Sequence, residues 1–479
     1  MLIQRLDQIR LEVSPMLDPN RRSKLGQFMT PGRIAADMAA MFDVIPAHVR
    51  LLDAGAGMGA LTAAFVAEAC ARPERPRSID ATCYEIDPVL VVVLEETLDR
   101  CAAICREHGV AFTSRVISDD YILHSAEPLL QEGRTYTNSI LNPPYKKLNT
   151  GSSWRMALRT LGIETVNLYA AFVAVALQQM EEGGELVAIT PRSFCNGPYY
   201  EPFRRQMLTT SALLSVHVFE SRRAAFKDDD VLQENVIYHL RKDGKQGDVR
   251  LSTDTTTPRR VPFSDVVRPS DPHLFIRLAV SDDDTDLAVR VQALPCTLGD
   301  LGVTVSTGRV VDFRAREHLR KEPGEDTVPL IYPGHFDNGR ISWPVEGFRK
   351  YNALADNDET KFLQVPAGTY VLTKRFSAKE EKRRLVAAVY DGPAAGFENH
   401  LNYFHRKGQG LDPVFAAGLA AFLNSTAVDL YFRQFSGHTQ VNATDLRNLH
   451  YPSRAAIELL GRSGLSTQEE IDAAVEALL

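Results

Sequence analysis

What these 479 residues have little of narrows the field first. Cysteine is confined to positions 70, 83, 101, 105, 195 and 296, with no CxxC pair and no accompanying histidine spacing. That pattern argues against a zinc site and against a disulfide scaffold. No segment approaches the roughly 18–20 apolar residues that a bilayer-spanning helix needs. The opening stretch MLIQRLDQIRLEVSPML is charged and amphipathic, and it has neither the apolar core nor the small-residue cleavage site of a signal peptide. A cytoplasmic protein with no membrane partner is expected. Net positive charge is also missing: the formal balance is -7, so any nucleic-acid contact must come from local clusters rather than an overall basic surface. Internal repeats and low-complexity tracts are absent.

What is present reads as a globular chain of two or three domains, with 44% hydrophobic and 24% charged residues. Between residues 50 and 240, short apolar runs ending in Gly, Asp or Asn alternate with helical-period segments. The runs are VRLLDAG, SIDATCYEID, NSILNPPY, GELVAIT and LSVHVFE. Such alternation predicts an α/β fold, a doubly wound and mostly parallel sheet covered on both faces. Cys101 and Cys105 share one face of a predicted helix and are expected in the core. The turn-rich RKDGKQGD and SDDDTD mark a change of texture, so a first domain is expected over 1–245, a linking region over 246–294 and a mixed α+β domain over 295–479. In the last of these, VPLIYPG, GTYVLTKRF and RLVAAVY read as strands and PVFAAGLAAFLNSTAVDLYFRQF as a helix.

Three stretches carry chemistry. In LLDAGAGMGALT a strand ends at Asp53, and Gly55, Gly57 and Gly59 let the turn pass close to a ligand before a helix opens. A second strand ends in CYEID with Glu85, where a carboxylate can grip a ribose diol. These glycines would also serve NAD. The acidic Asp53 beside the first glycine suits a cationic sulfonium or amino group better than a pyrophosphate, which favours S-adenosylmethionine. SDDYIL offers Asp120 for an exocyclic amine and Tyr121 as a ring over adenine, or else a solvated turn.

The third stretch is SILNPPYKKLN. Pro143 and Pro144 fix two φ angles and remove two donors, so the strand stops in a rigid loop that holds Asn142 and Tyr145. A purine amino group is a poor nucleophile because its lone pair is delocalised. The Asn142 side-chain oxygen and the Pro143 carbonyl can accept both N6 hydrogens and favour a more tetrahedral nitrogen, while Tyr145 offers a stacking face to a base removed from its helix.

The series KLGQFMTP, the glycine loop, YEID, SDDY, LNPPY, NLYAAF and AFKDDDVLQENVIYHL resembles, in content and order, the gamma class of N6-adenine DNA methyltransferases. With HTQVNATDLRNLHYP near the C-terminus, it is similar to the PstI/BsuBI-type modification methylases of type II restriction-modification systems. The resemblance implies a Rossmann-like S-adenosylmethionine-dependent fold with a C-terminal target-recognition domain, and methylation of adenine N6 in duplex DNA by base flipping without a metal. It implies Thr30 and Pro31 against the methionine moiety, Asp53, Gly55 and Gly57 against the donor, Glu85 on the ribose and Asp120 on the adenine. Asn142, Pro143, Pro144 and Tyr145 form the implied catalytic loop, Asn142 also facing the donor, and Phe226, with Phe219 as its rival, supplies a second stacking aromatic.

DNA contacts are expected from GRVVDFRAREHLRK, LTKRFSAKEEKRR and FHRKGQG, where basic residues are interleaved with aromatic and hydroxyl groups. The NATD run is alternatively a helix N-cap. No D…ExK nuclease constellation stands in a convincing context, so a monomer is expected whose companion endonuclease, if any, is a separate polypeptide. Methylation of RNA or of a protein glutamine, a non-catalytic specificity subunit and a NAD-dependent oxidoreductase are the competing readings. The last leaves the NPPY loop unexplained.

Overall fold

The computed structural model describes residues 2–13, 29–127, 135–219, 234–376, 382–437 and 440–479. The chain divides into two compact units, 1–280 and 281–479.

The first unit is built on nine strands: β1 (His48–Ala54), β2 (Ser78–Tyr84), β3 (Ala111–Ile117), β4 (Tyr136–Leu141), β5 (Met180–Pro191), β6 (Ser211–Val218), β7 (Asn235–Lys242), β8 (Val249–Thr253) and β9 (Arg259–Val261). Their order is β3-β2-β1-β4-β5-β7-β6-β8-β9. The first five run parallel, and β7 is antiparallel to both of its neighbours. Central strands are buried on both faces, which is why β4 reads as an unbroken buried run instead of an alternating one. The helix Leu168–Gln179 beside them is apolar nearly all round and buried accordingly. Pro88–Glu107 shows the opposite pattern: Asp87 caps its start and Pro88 occupies its first turn, while Leu90, Leu94, Leu98, Cys101 and Cys105 form one buried face. The two cysteines are thus core residues, as their spacing predicts.

The expected boundary near 245 is displaced. Residues 246–280 belong to the first unit, because β8 and β9 continue its sheet. RKDGKQGD is a turn rather than the start of a linker. Its Gln246 amide takes the place of a neighbouring strand at Leu213, accepting from the Leu213 amide at 2.8 Å and donating to its carbonyl at 3.0 Å. The buried Arg204 guanidinium then ties the following segment down, donating to the carbonyls of Phe194, Gly197 and His273. A composition shift marked solvated backbone here, but polar side chains are supplying the backbone bonds.

In the second unit SDDDTD is a capping box, Ser281 and Asp284 closing the start of the helix Asp282–Gln292. Six-stranded and five-stranded sheets follow, and they include the three strands expected from sequence. The single helix expected over 413–435 is two helices, Pro413–Leu423 and Thr426–Phe435. Asn424 ends the first by pairing its amide with the backbone N–H and carbonyl of Ala387, and Ser425 caps the second. Asn442 caps Ala443–Arg447, so the NATD run has the structural role its composition allows. Among the described residues, no single helix is long and apolar enough to cross a membrane.

Candidate functional site

β1, β2 and β4 are neighbours, so the segments leaving their C-terminal ends converge. After β1 the chain turns at once: the amides of Gly55 and Ala56 both donate to the Tyr84 carbonyl at the end of β2, at 3.0 and 2.9 Å. Gly55, Gly57 and Gly59 all have positive φ, which explains why glycine recurs at every second position. Gly59 then caps the helix Ala60–Ala71. Glu85, almost fully buried, accepts from the Gly57 amide at 2.9 Å and the Asp87 amide at 2.8 Å. It holds the glycine turn against β2 as well as facing the loop. Burial is the main influence on its carboxyl, which is pushed up, with the two amides opposing.

Asp53 is fully buried. Its Oδ2 accepts from the Thr62 hydroxyl at 2.7 Å, and its Oδ1 has no hydrogen-bond partner among the described residues. Burial, opposed by the Thr62 bonds and reinforced by the nearby Glu85 charge, pushes its carboxyl up to about 7. Two buried acids beside a glycine turn make a cradle suited to a cation. Thr62 is a member of this site that the sequence reading missed.

The NPPY loop lies against the same turn. A Cβ built on Gly55 would stand 3.7 Å from the Phe172 ring, 3.9 Å from the Asn142 carbonyl and 4.0 Å from Pro144. A longer side chain would fill the space between the two loops. The Asn142 carboxamide is held at both ends, Nδ2 donating to Thr30 Oγ1 at 2.9 Å and Oδ1 accepting from the Tyr145 hydroxyl at 3.2 Å. Tyr145 is half-buried with its ring edge-on to Tyr169, and burial raises its phenol well above the usual range. Pro31 starts the helix Gly32–Ala40 in extended conformation, which sets Thr30 just before the first turn. Phe172 was legible only as part of an apolar helix; nothing local indicates that its ring walls the glycine loop.

After β3, Asp120 caps the short helix Tyr121–Ser125, its Oδ1 accepting from the amides of Ile122 and Leu123, both at 3.0 Å. Its Oδ2 accepts from Trp154 Nε1 at 2.7 Å. Tyr121 is not available as a cover for an adenine. Its ring is buried between Tyr84 and Phe172, and its hydroxyl donates to Gln179 at 2.8 Å. The first residue of a helix capped by Asp120 turns inward here, toward the apolar helix Leu168–Gln179. Phe226 lies outside the described residues. Its rival Phe219 is a core residue, edge-on to His217.

In the second unit several basic residues expected to meet DNA serve the fold. Arg384 is buried, its backbone amide donating to Asp429 and its guanidinium to Ser436, while Arg375 donates to the Asn399 carbonyl. Arg314 lies over the ring of Phe313, which is 76% exposed, so this pair faces outward.

The model of the Eco57I restriction-modification methylase family matches residues 132–226. The chain is 48% identical over 467 residues to the type II methyltransferase M.PstI of Providencia stuartii, covering 95% of this chain and 92% of that one. It is 44% identical over 502 residues to the type II methyltransferase M.BsuBI of Bacillus subtilis, covering 100% and 98%. Among solved structures it is similar in fold to the type IIL restriction-modification enzyme MmeI in complex with DNA, with a TM-score of 0.54 at 13% identity over 99% of this chain and 73% of that one.

Proposed function

The chain belongs to the type II methyltransferases of restriction-modification systems, and from that premise we propose that it transfers the methyl group of S-adenosylmethionine to N6 of adenine at a specific site in duplex DNA. The observation that carries this reading is the Asn142 carboxamide, clamped between Thr30 and Tyr145 beside the glycine turn. The donor fits the residues present: the buried Asp53 Oδ1, without a partner among the described residues, and the glycine cradle suit a cationic ligand with a nucleoside end. Bound there, S-adenosylmethionine supplies an already activated methyl group.

The chain's own residues do the rest. Asn142 Oδ1 and the Pro143 carbonyl accept the two N6 hydrogens of the target amine. That pair of bonds draws the amine lone pair out of conjugation and aims it at the methyl group. No base is required before transfer, since the proton leaves after nitrogen has become cationic. Tyr145 gives a flipped adenine a ring to stack on. The unit 281–479 carries site selection, and the chain acts as a monomer, with cleavage left to a separately encoded endonuclease.

Incubation with tritiated S-adenosylmethionine and separate pools of duplex DNA, RNA and protein tests the reading. Label is expected in duplex DNA, released on digestion as N6-methyl-2′-deoxyadenosine. Label in RNA or protein, or in cytosine, would overturn it.

Thr30 is expected to act on the rate through Asn142, as a positioning residue. By accepting from Nδ2 it fixes which way the amide faces, and a valine at this site removes that preference at nearly constant volume. Thr30→Val should slow single-turnover methylation roughly tenfold, the worth of about one well-placed hydrogen bond. Thr30→Ser should restore most of the rate. A valine variant as fast as wild type would show that the amide needs no such support.

A further inference from the structure

We propose that Trp154 is a positioning residue of the donor site, one that holds the Asp120 carboxylate ready for the exocyclic amine of the donor's adenine. The proposal rests on the donor reading above. A carboxylate offers about four lone-pair positions. Asp120 Oδ1 uses two of them on the amides of Ile122 and Leu123, and Oδ2 uses one on the Trp154 indole N–H. Among the described residues no donor takes the last position, on Oδ2. An amine donating there would complete the carboxylate, whereas a carbonyl oxygen would be repelled.

The indole is what gives that last position its direction. Helix capping fixes Oδ1, but a carboxylate anchored through one oxygen can still turn about its bond to the chain. The 2.7 Å bond from Trp154 Nε1 removes that freedom. Trp154 is itself held in place. It lies in the first turn of the helix Ser153–Thr160, which Ser152 caps, and Lys146 Nζ sits 5.1 Å from its ring centroid. Lys146 directly follows Tyr145, so the indole links the catalytic loop to the adenine end of the donor site. Neither local periodicity nor the family motifs single out Trp154.

The test uses the intact chain, with S-adenosylhomocysteine and S-inosylhomocysteine as probes. They differ at the purine 6-position, an amine in one and a carbonyl in the other. Calorimetry on the wild type should show a preference for the adenine compound of about 10- to 100-fold, the range of a hydrogen bond to a charged group. Trp154→Phe keeps a ring and loses the N–H. It should shrink that preference to about threefold or less, while binding of the inosine compound changes less than about twofold. A purely structural role would weaken both probes alike, and that result would overturn the proposal, as would an unchanged preference. A second measurement leaves position 154 intact. The chain has two tryptophans, the other at 343 in the second unit, so in Trp343→Phe the emission comes from Trp154 alone. It should shift on saturation with S-adenosylhomocysteine, and an unchanged spectrum would also overturn the proposal. If wild type binds neither probe, the donor reading itself fails. If wild type binds with the expected preference and Trp154→Phe matches it, only the role of Trp154 fails.

Discussion

Asn142→Ala is expected to slow single-turnover methylation by about 10² to 10³, the effect of removing one preorganised contact to the reacting centre, while donor affinity changes little. The split follows from the geometry. The Asn142 side chain is bound to Thr30 and Tyr145, whereas the buried carboxyls suited to the donor come from Asp53 near the end of β1 and Glu85 just after β2. Losing the carboxamide removes an acceptor for the target amine and leaves the Tyr145 hydroxyl with its longer bond to the Ile189 carbonyl at 3.5 Å. Tyr145→Phe should therefore cost less than Asn142→Ala, because the ring and the Asn142–Thr30 bond both survive. Rapid-quench methylation with excess enzyme, alongside calorimetry for the donor, measures the two quantities separately. An alanine variant as fast as wild type would mean that this loop does not activate the amine.

Asp53→Asn should have opposite effects on binding and on stability. Burial raises this carboxyl from 3.8 to about 7 in the folded chain. Between those values the folded state holds a proton that the unfolded chain has released. Its contribution to stability is therefore complete below about pH 4 and is lost as pH rises through 7. At pH 8 the donor-free protein carries a buried carboxylate whose Oδ1 has no partner among the described residues. Asparagine is nearly isosteric and neutral, so the variant should melt higher at pH 8, by roughly 2–4 °C for each kcal/mol recovered, and lose much of the decline between pH 5 and 8. A cationic donor prefers the ionised form, so wild-type affinity should rise about tenfold between pH 6 and 7.5 as the carboxyl ionises. The variant should bind weakly at both. Thermal melts across this range and calorimetry at the two pH values check both halves; a pH-independent wild-type affinity would place the donor's charge away from Asp53.

The features that survive from sequence to structure are those fixed by neighbouring residues. Glycine at positions 55, 57 and 59 is demanded by positive φ at each, and the alternation of buried strand and helix requires only local periodicity. The two prolines after Asn142 end β4 whatever surrounds them. Two readings went astray for a shared reason. The hydrophilic stretch after 242 read as a linker because its composition is that of solvated backbone, yet the Gln246 amide bonds β6 as a strand would. Tyr121 read as a ligand-facing ring because it follows Asp120, yet the helix that Asp120 caps turns it into the core.

The sequence by itself determined that this chain forms a mostly parallel α/β sheet, that glycine turns and a proline-stiffened carboxamide follow its strands, and which methyltransferase family those motifs resemble. Each depends on backbone torsions and residue order, which act over a few positions. Tertiary structure alone decided what each group touches. Thr30 meets Asn142 across 112 residues, Trp154 reaches back 34 to Asp120, and Phe172 walls a loop that it follows by more than a hundred. Side chains brought together by strand order share no periodicity or spacing, because the contact is made by the path of the whole sheet.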